Sequence, residues 1–231
     1  MQRGFGRIKS PYDSRDYNLE WFIPKKGMGK AVTERVWDFP LESLDQEETP
    51  HCVGFSMASF GINLPVLTPY TNAAGHKFYY KCKVVDGDPQ SEEGSTIRSA
   101  AKVLKQEGVI GAYAFAPSVE AIRYWVLNKG PMIIGTIWTE GMMCPDDSGI
   151  IEPTGNIVGG HATLINEWRK DDYIRIQNSW GPDWGIDGSA YIHVEDFKKI
   201  FNYDGEAMTA VELEQHKKPC AFCDFIKNIF S

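Results

Sequence analysis

Four residues, Gln46, Cys52, His161 and Asn178, carry the chemistry this chain could perform. A cysteine sulfur attacks a carbonyl as the thiolate, and an unassisted thiol with a pKa near 8.5 is mostly protonated at neutral pH. Cys52 follows Thr49-Pro50-His51 and leads into a mostly apolar run, Val53-Gly54-Phe55-Ser56-Met57-Ala58-Ser59-Phe60. Pro50 disfavours helical dihedrals in the residue before it, so a buried helix is expected with Cys52 in its first turn. The free N–H groups and positive dipole end there favour a thiolate. A cysteine so placed is a candidate nucleophile once a base and an oxyanion donor are found. Gln46, on the incoming loop, has a side-chain amide N–H suited to the donor role.

Each residue also has an ordinary use. A cysteine at a helix start is most often a small buried hydrophobe. His161 alone reads as a satisfied strand histidine, and Asn178 alone as a turn residue. His51 is a rival base, but adjacent helical residues do not face each other, so its side chain is expected to point away from Cys52.

The elements that must position these groups follow from the patterning. His161 leaves the glycine pair Gly159-Gly160 and enters the apolar stretch Ala162-Thr163-Leu164-Ile165. Asn178 ends the alternating strand Tyr173-Ile174-Arg175-Ile176-Gln177 and opens Ser179-Trp180-Gly181-Pro182-Asp183-Trp184-Gly185. Between these and Cys52, residues 77–85 read as either helix or strand, with core aromatics. An amphipathic helix opens after Glu92-Glu93-Gly94-Ser95-Thr96, buries Ile97, Ala100, Ala101, Val103 and Leu104, and stops at Gly108. A further helix begins at Ser118-Val119-Glu120 and ends near Asn128. Strands are expected at 132–138, 150–151, 161–166, 173–177 and 190–194. Residues 36–40 read as a short lead-in strand, and 24–29 as a loop.

At 231 residues with a 42% hydrophobic fraction and seven tryptophans, the chain can bury a large core as one domain or two packed halves. A net charge of −7 argues against a nucleic-acid binder. No apolar run approaches the roughly 20 residues of a membrane span. The first residues carry basic charge without an apolar run to follow, unlike a secretory signal. Five cysteines, an odd number, suit a reducing compartment with one reactive thiol. A cytoplasmic location is the expectation, or a virion-associated one for a phage protein. No cofactor or metal is expected.

Gln46, Cys52 six positions later, His161-Ala162, and Asn178-Ser179-Trp180-Gly181 through Trp184-Gly185 together resemble the signature of the papain-like cysteine peptidases. The resemblance implies an α+β fold. A helical left domain (about 36–117) and a β-barrel-like right domain (about 118–211) would enclose the active site in the cleft between them. It implies a Cys52–His161–Asn178 triad, with Gln46 and the Cys52 backbone N–H holding the oxyanion. Trp180 would shield the His–Asn bond, with Trp184 in support, and Gly94, Ser95 and Gly160 would line the substrate cleft. The substrate would be a protein or peptide. Asp13-Ser14-Arg15-Asp16-Tyr17 resembles the short leader of bacterial and phage members, so residues 1–35 are expected to form an arm that packs on the domain or a leader. The chain departs from the family at Thr49-Pro50-His51-Cys52-Val53, where relatives carry Cys-Gly-Ser-Cys-Trp, and at Gly160, where many carry a polar residue. The Cys52-to-His161 spacing is shorter than the roughly 130–150 residues of the best-known members.

The triad could equally serve an isopeptide or a peptidoglycan amide, or the fold could be an assembly component with a blocked cleft. Residues 212–231 extend past the last matched element. Cys220-Ala221-Phe222-Cys223 there could be redox-active or half a zinc site. The plainer reading is an apolar tail that docks on its own domain, a partner or a second copy.

Overall fold

The computed structural model describes residues 3–24, 32–37 and 42–212. Asp38, Phe39 and Pro40 of the expected lead-in strand lie outside the described residues, as do residues 25–29 of the loop. So does the tail from 213 onward, with Cys220 and Cys223.

In chain order the elements are β1 (Arg7–Ile8), β2 (Tyr17–Asn18), β3 (Arg35–Val36), α1 (Cys52–Ile62), α2 (Asn72–Asp86), β4 (Ser95–Thr96), α3 (Ile97–Gln106) and β5 (Ala112–Phe115). There follow α4 (Val119–Asn128), β6 (Met132–Thr139), β7 (Ile157–Trp168), β8 (Tyr173–Gln177), β9 (Ser189–His193), α5 (Val194–Asp204) and β10 (Glu206–Val211).

Helix α1 is apolar all round and buried along its whole length, as a helix without a polar face must be. It can lie deep because its neighbour comes unusually close. A side chain at Gly54 would collide with the backbone of Gly75 and Tyr79 on α2. Residues 77–85, ambiguous in sequence, fall inside α2 and bury Phe78, Tyr79, Cys82 and Lys83. Helix α3 is N-capped by the Thr96 hydroxyl, which accepts from the Ser99 N–H, and buries the expected face. Helix α4 is capped in the same way by Ser118.

The main sheet runs in the order β2-β5-β10-β6-β7-β8-β9, with β3 added on β7. Strands β6 and β7 pair antiparallel, with His161 opposite Thr136 and Gly160 opposite Ile137. Strands β7 and β8 pair antiparallel, with Leu164 opposite Gln177, so Asn178 emerges beside the His161 end of β7. The architecture is α+β, with α1 laid against β7, α3 against β10, and α2 packed on both helices.

Two expectations change. Residues 150–151 make a single parallel bridge from Ile150 to Tyr191 rather than a strand. Residues 112–115 form β5 and residues 206–211 form β10, so the helix-led half also contributes to the large sheet. The N-terminal segment is woven in: β2 pairs parallel with β5, β3 pairs antiparallel with β7, and β1 pairs parallel with β4.

Candidate active site

Cys52 is the first residue of α1, as Pro50 dictates, and its sulfur is fully buried. Backbone N–H groups of Ala162, Gly6 and Val53 lie close enough to the sulfur to favour its charged form. Two of these belong to other parts of the chain: Ala162 follows His161 on β7, and Gly6 belongs to the N-terminal segment. His51 points away from Cys52, as expected. Its ring stacks on Tyr79 with centroids 3.9 Å apart, and its Nδ1 faces His76 Nδ1 at 2.7 Å.

His161 Nε2 lies 2.7 Å from Asn178 Oδ1. That oxygen also accepts the Ser179 backbone N–H at 2.8 Å, which fixes which end of the Asn178 amide faces the ring. An amide oxygen only accepts, so His161 carries its proton on Nε2 and keeps a lone pair on Nδ1. His161 Nδ1 is buried and makes no hydrogen bond among the described residues. The Trp180 ring stacks on the imidazole at 4.8 Å, while Trp138 meets it edge-on at 4.9 Å. Trp184 closes the other side of Trp180 and donates its Nε1–H to Met143 O.

Gln46 is tied to the same loop. Its backbone N–H donates to Ser179 O, Gly181 N–H donates to Leu44 O, and Asp45 and Trp180 form an isolated antiparallel bridge. The Ser179 hydroxyl donates to Gln46 Oε1 at 2.7 Å, which turns the Nε2 end toward the cleft. There Nε2 donates to Thr49 O at 2.6 Å and to Gly4 O at 3.1 Å.

Residues 3–8 thread through the cleft in front of these groups. Gly6 O accepts the Ser95 N–H at 2.8 Å, and Arg7 and Ile8 pair with Ser95 and Thr96. The Phe5 ring meets both His161 and Trp180 edge-on. Arg3 donates to Trp180 O and sits over the Trp180 ring. The fit is close enough to demand glycine: a Cβ at Gly6 would overlap Pro50 O, and one at Gly160 would overlap Arg7 O.

The papain family cysteine protease profile matches residues 53–211, beginning one residue after Cys52. The chain belongs to the papain family of cysteine proteases. It is 30% identical over 105 residues to cathepsin B-like cysteine proteinase 6 of Caenorhabditis elegans, covering 43% of this chain and 28% of that protein. It is 38% identical over 74 residues to cathepsin B-like CP3 of Giardia intestinalis, covering 29% and 24%. The matches thus span about a quarter of the length of these relatives. Among solved structures, xylellain, a cysteine protease from Xylella fastidiosa, shares the fold with a TM-score of 0.69 at 19% identity, over 91% of this chain and 97% of that one. Procathepsin B S9 from Trypanosoma congolense does so with a TM-score of 0.66 at 13% identity, over 90% and 85%.

In this papain-family chain the predicted residues converge. Cys52 comes from α1, His161 from β7, Asn178 and Trp180 from the loop after β8, and Gln46 from the loop before α1. Ser95 faces the cleft through its N–H, which donates to Gly6 O at 2.8 Å, while its hydroxyl is committed to Asp86. Gly94 lies against Gly6 O and the Ile8 side chain, its own carbonyl accepting from Lys83 Nζ and its N–H donating to the Tyr79 hydroxyl. Gly160 lines the opposite wall.

The electrostatics differ from the expectation of a thiolate. Burial pushes the Cys52 thiol up to about 11, outweighing the N–H groups of Ala162, Gly6 and Val53. Burial likewise pulls His161 from 6.5 down to about 4, despite its bond to Asn178. In the covered cleft both groups are therefore neutral. The helix dipole favours the thiolate, but burial of the sulfur outweighs it.

Sequence reading missed three residues here. Ser179 orients Gln46, and its place in Asn-Ser-Trp-Gly was the available signal. Trp138 walls His161 from the neighbouring strand, where nothing in the local pattern marked it. Arg7, in the N-terminal segment, reaches into the cleft wall. Among the described residues no group of three or more His, Cys, Asp or Glu side chains is arranged to hold a metal ion, and no helix is long and apolar enough to cross a membrane.

Proposed function

We infer that the chain is a cysteine endopeptidase working through Cys52, His161 and Asn178, held latent by its own residues 3–8. The observation that carries this reading is the fixed tautomer of His161: Nε2–H is spent on Asn178, which leaves the Nδ1 lone pair as the base for the thiol.

When the segment lifts away, water returns to the cleft and the cost of charging both groups falls. His161 Nδ1 then takes the Cys52 proton, giving an imidazolium–thiolate pair supported by the α1 N-terminus. The thiolate adds to a peptide carbonyl. The resulting oxyanion is held by Gln46 Nε2–H and the Cys52 backbone N–H. His161 returns the proton to the leaving amine, and a thioester remains on Sγ. Water, deprotonated by the same Nδ1, hydrolyses the thioester and restores the thiol. Asn178 keeps the ring in register throughout, and Trp180 keeps bulk water from the bond between them.

The test is labelling of the full chain with a thiol-directed peptidyl electrophile in a variant that opens the cleft, Gly6→Val. One adduct at Cys52, lost in the added His161→Ala variant, together with hydrolysis of an unfolded protein, supports the reading. An unlabelled Cys52 in a folded, opened variant overturns it. The full burial of Cys52 also suits a domain that uses the fold for assembly alone, and that reading predicts the unlabelled outcome.

A further inference from the structure

Arg7 is a guanidinium held in a socket beside the thiol. Its side chain is 1% exposed. Nη1 donates to Asp204 Oδ2 at 2.6 Å, Nη2 donates to Asp204 O at 2.8 Å and to Glu206 Oε1 at 3.1 Å, and Nε donates to Glu206 Oε1 at 3.2 Å. The floor is Gly135 on β6, where a Cβ would come within 2.7 Å of Arg7 Nε and 3.0 Å of the Ile97 side chain. Any side chain at position 135 would fill the socket. The mouth lies next to the nucleophile: Gly6, the residue before Arg7, has its backbone N–H beside the Cys52 sulfur and accepts the Ser95 N–H on its carbonyl. Arg7 itself bears electrostatically on the Cys52 thiol.

Three features of this socket come from the body of the domain: a carboxylate pair at the α5–β10 junction, a carbonyl aligned with it, and a glycine floor. Together they fit a planar fork of donors and would leave a lysine ammonium or an apolar side chain with unmatched acceptors. The site is more than an acidic cluster, since it already contains a ligand supplied by the chain. We propose that this socket is the specificity pocket of the cleft, and that the open protein binds peptides by an arginine side chain placed next to the reacting bond. Arg7 occupies it as a surrogate for that arginine. The proposal rests on the peptidase reading for its link to cleavage, though the binding it predicts does not require turnover.

The experiment uses the full chain carrying Arg7→Glu, which sets a third carboxylate against Asp204 and Glu206 and so expels the segment. Arg7→Ala, which empties the socket without adding charge, serves as its companion. With Cys52→Ala added, fluorescence anisotropy follows the binding of labelled alanine-rich peptides that carry one arginine, lysine or norleucine. Arginine peptides are expected to bind tighter than norleucine ones by on the order of a hundredfold, because a socket built for N–H donors is left with unpaired acceptors otherwise. They should exceed lysine ones by roughly tenfold. Adding Glu206→Gln should erase most of both preferences. Equal affinity for all three peptides, or no binding in either opened variant, overturns the proposal. With Cys52 intact, mass spectrometry of the products should place the cut within about two residues of the arginine, as adjacent residues of an extended chain are about 3.3 Å apart. Cleavage without arginine preference removes the pocket and leaves the peptidase. Arginine-dependent binding without cleavage removes the peptidase and leaves the pocket.

Discussion

The carbonyl oxygen of Gly4 accepts a hydrogen bond from Gln46 Nε2 at 3.1 Å. The donor assigned to a developing oxyanion is therefore already used by the protein's own main chain, with Phe5 and Gly6 filling the space between it and Cys52. On the proposed reading, access to the site follows how firmly residues 3–8 are seated.

In the intact chain, the exposed Cys144 should alkylate well ahead of the buried Cys52 and Cys82. Gly6→Val places a side chain against Pro50 O and should reverse the order, raising Cys52 labelling at least about tenfold as burial is relieved. Peptide mapping after brief iodoacetamide treatment measures both. Fast labelling of Cys52 in the unmodified protein would show that the segment does not seal the cleft.

In an opened background, Cys52→Ala should abolish turnover and Asn178→Ala should reduce it. Asn178 transfers no proton, so its loss should cost less than the roughly 10²–10⁴-fold contributed by general acid–base catalysis as a whole. Equal residual rates in the two variants would contradict these roles.

Ser179→Ala should act through Gln46. Loss of the 2.7 Å bond to Oε1 frees the amide to rotate and leaves a buried acceptor unpaired, at a cost of about 1–3 kcal/mol. The expected signature is a lower kcat with KM nearly unchanged, less severe than the 10²–10³-fold typical of deleting an oxyanion donor outright. Recovery in Ser179→Thr, which keeps the hydroxyl, separates orientation from a packing defect.

Acid should destabilise the fold. Burial holds His161 near 4 instead of 6.5. An unfolded chain, in which His161 and Cys52 are apart, therefore binds a proton below 6.5 that the folded chain refuses until about 4. The contribution to folding stability is full above 6.5 and declines as the pH falls toward 4, by up to ~3 kcal/mol. His51, pulled down to about 4 by burial and then by His76, adds a contribution of the same sign. The urea midpoint of unfolding should fall across that interval and fall less in His161→Gln. An identical profile in that variant would remove His161 as the cause.

The candidate catalytic groups were legible because each stands in a short, ordered signature, and the helices because their caps and apolar stripes are local. Thr96 and Ser118 cap where their sequence places them. Strand β10 was not legible: Glu206–Val211 has little alternation, and its identity as a strand comes from partners β5 and β6, far away in sequence. The state of the thiol was hidden for a related reason. The helix N-terminus that favours the thiolate is local, whereas the burial that opposes it comes from chain distant in sequence, with Gly6 on one side of the sulfur and Ala162 on another. Arg7 was likewise unreadable as a cleft residue, because Asp204 and Glu206 lie at the other end of the described chain.

Strand β2 remains in the main sheet through its pairing with β5, so residues 3–10 stay leashed when they leave the cleft. A leash of this length keeps the free segment at a local concentration in the millimolar range. A peptide present at micromolar levels then meets a competitor that is in excess at every molecule and that dilution cannot remove. Turnover would follow the fraction of time the segment spends away, progress curves would bend upward if the segment were slowly lost, and severing the leash between residues 8 and 17 would convert a reversible occupant into one that diffuses away for good.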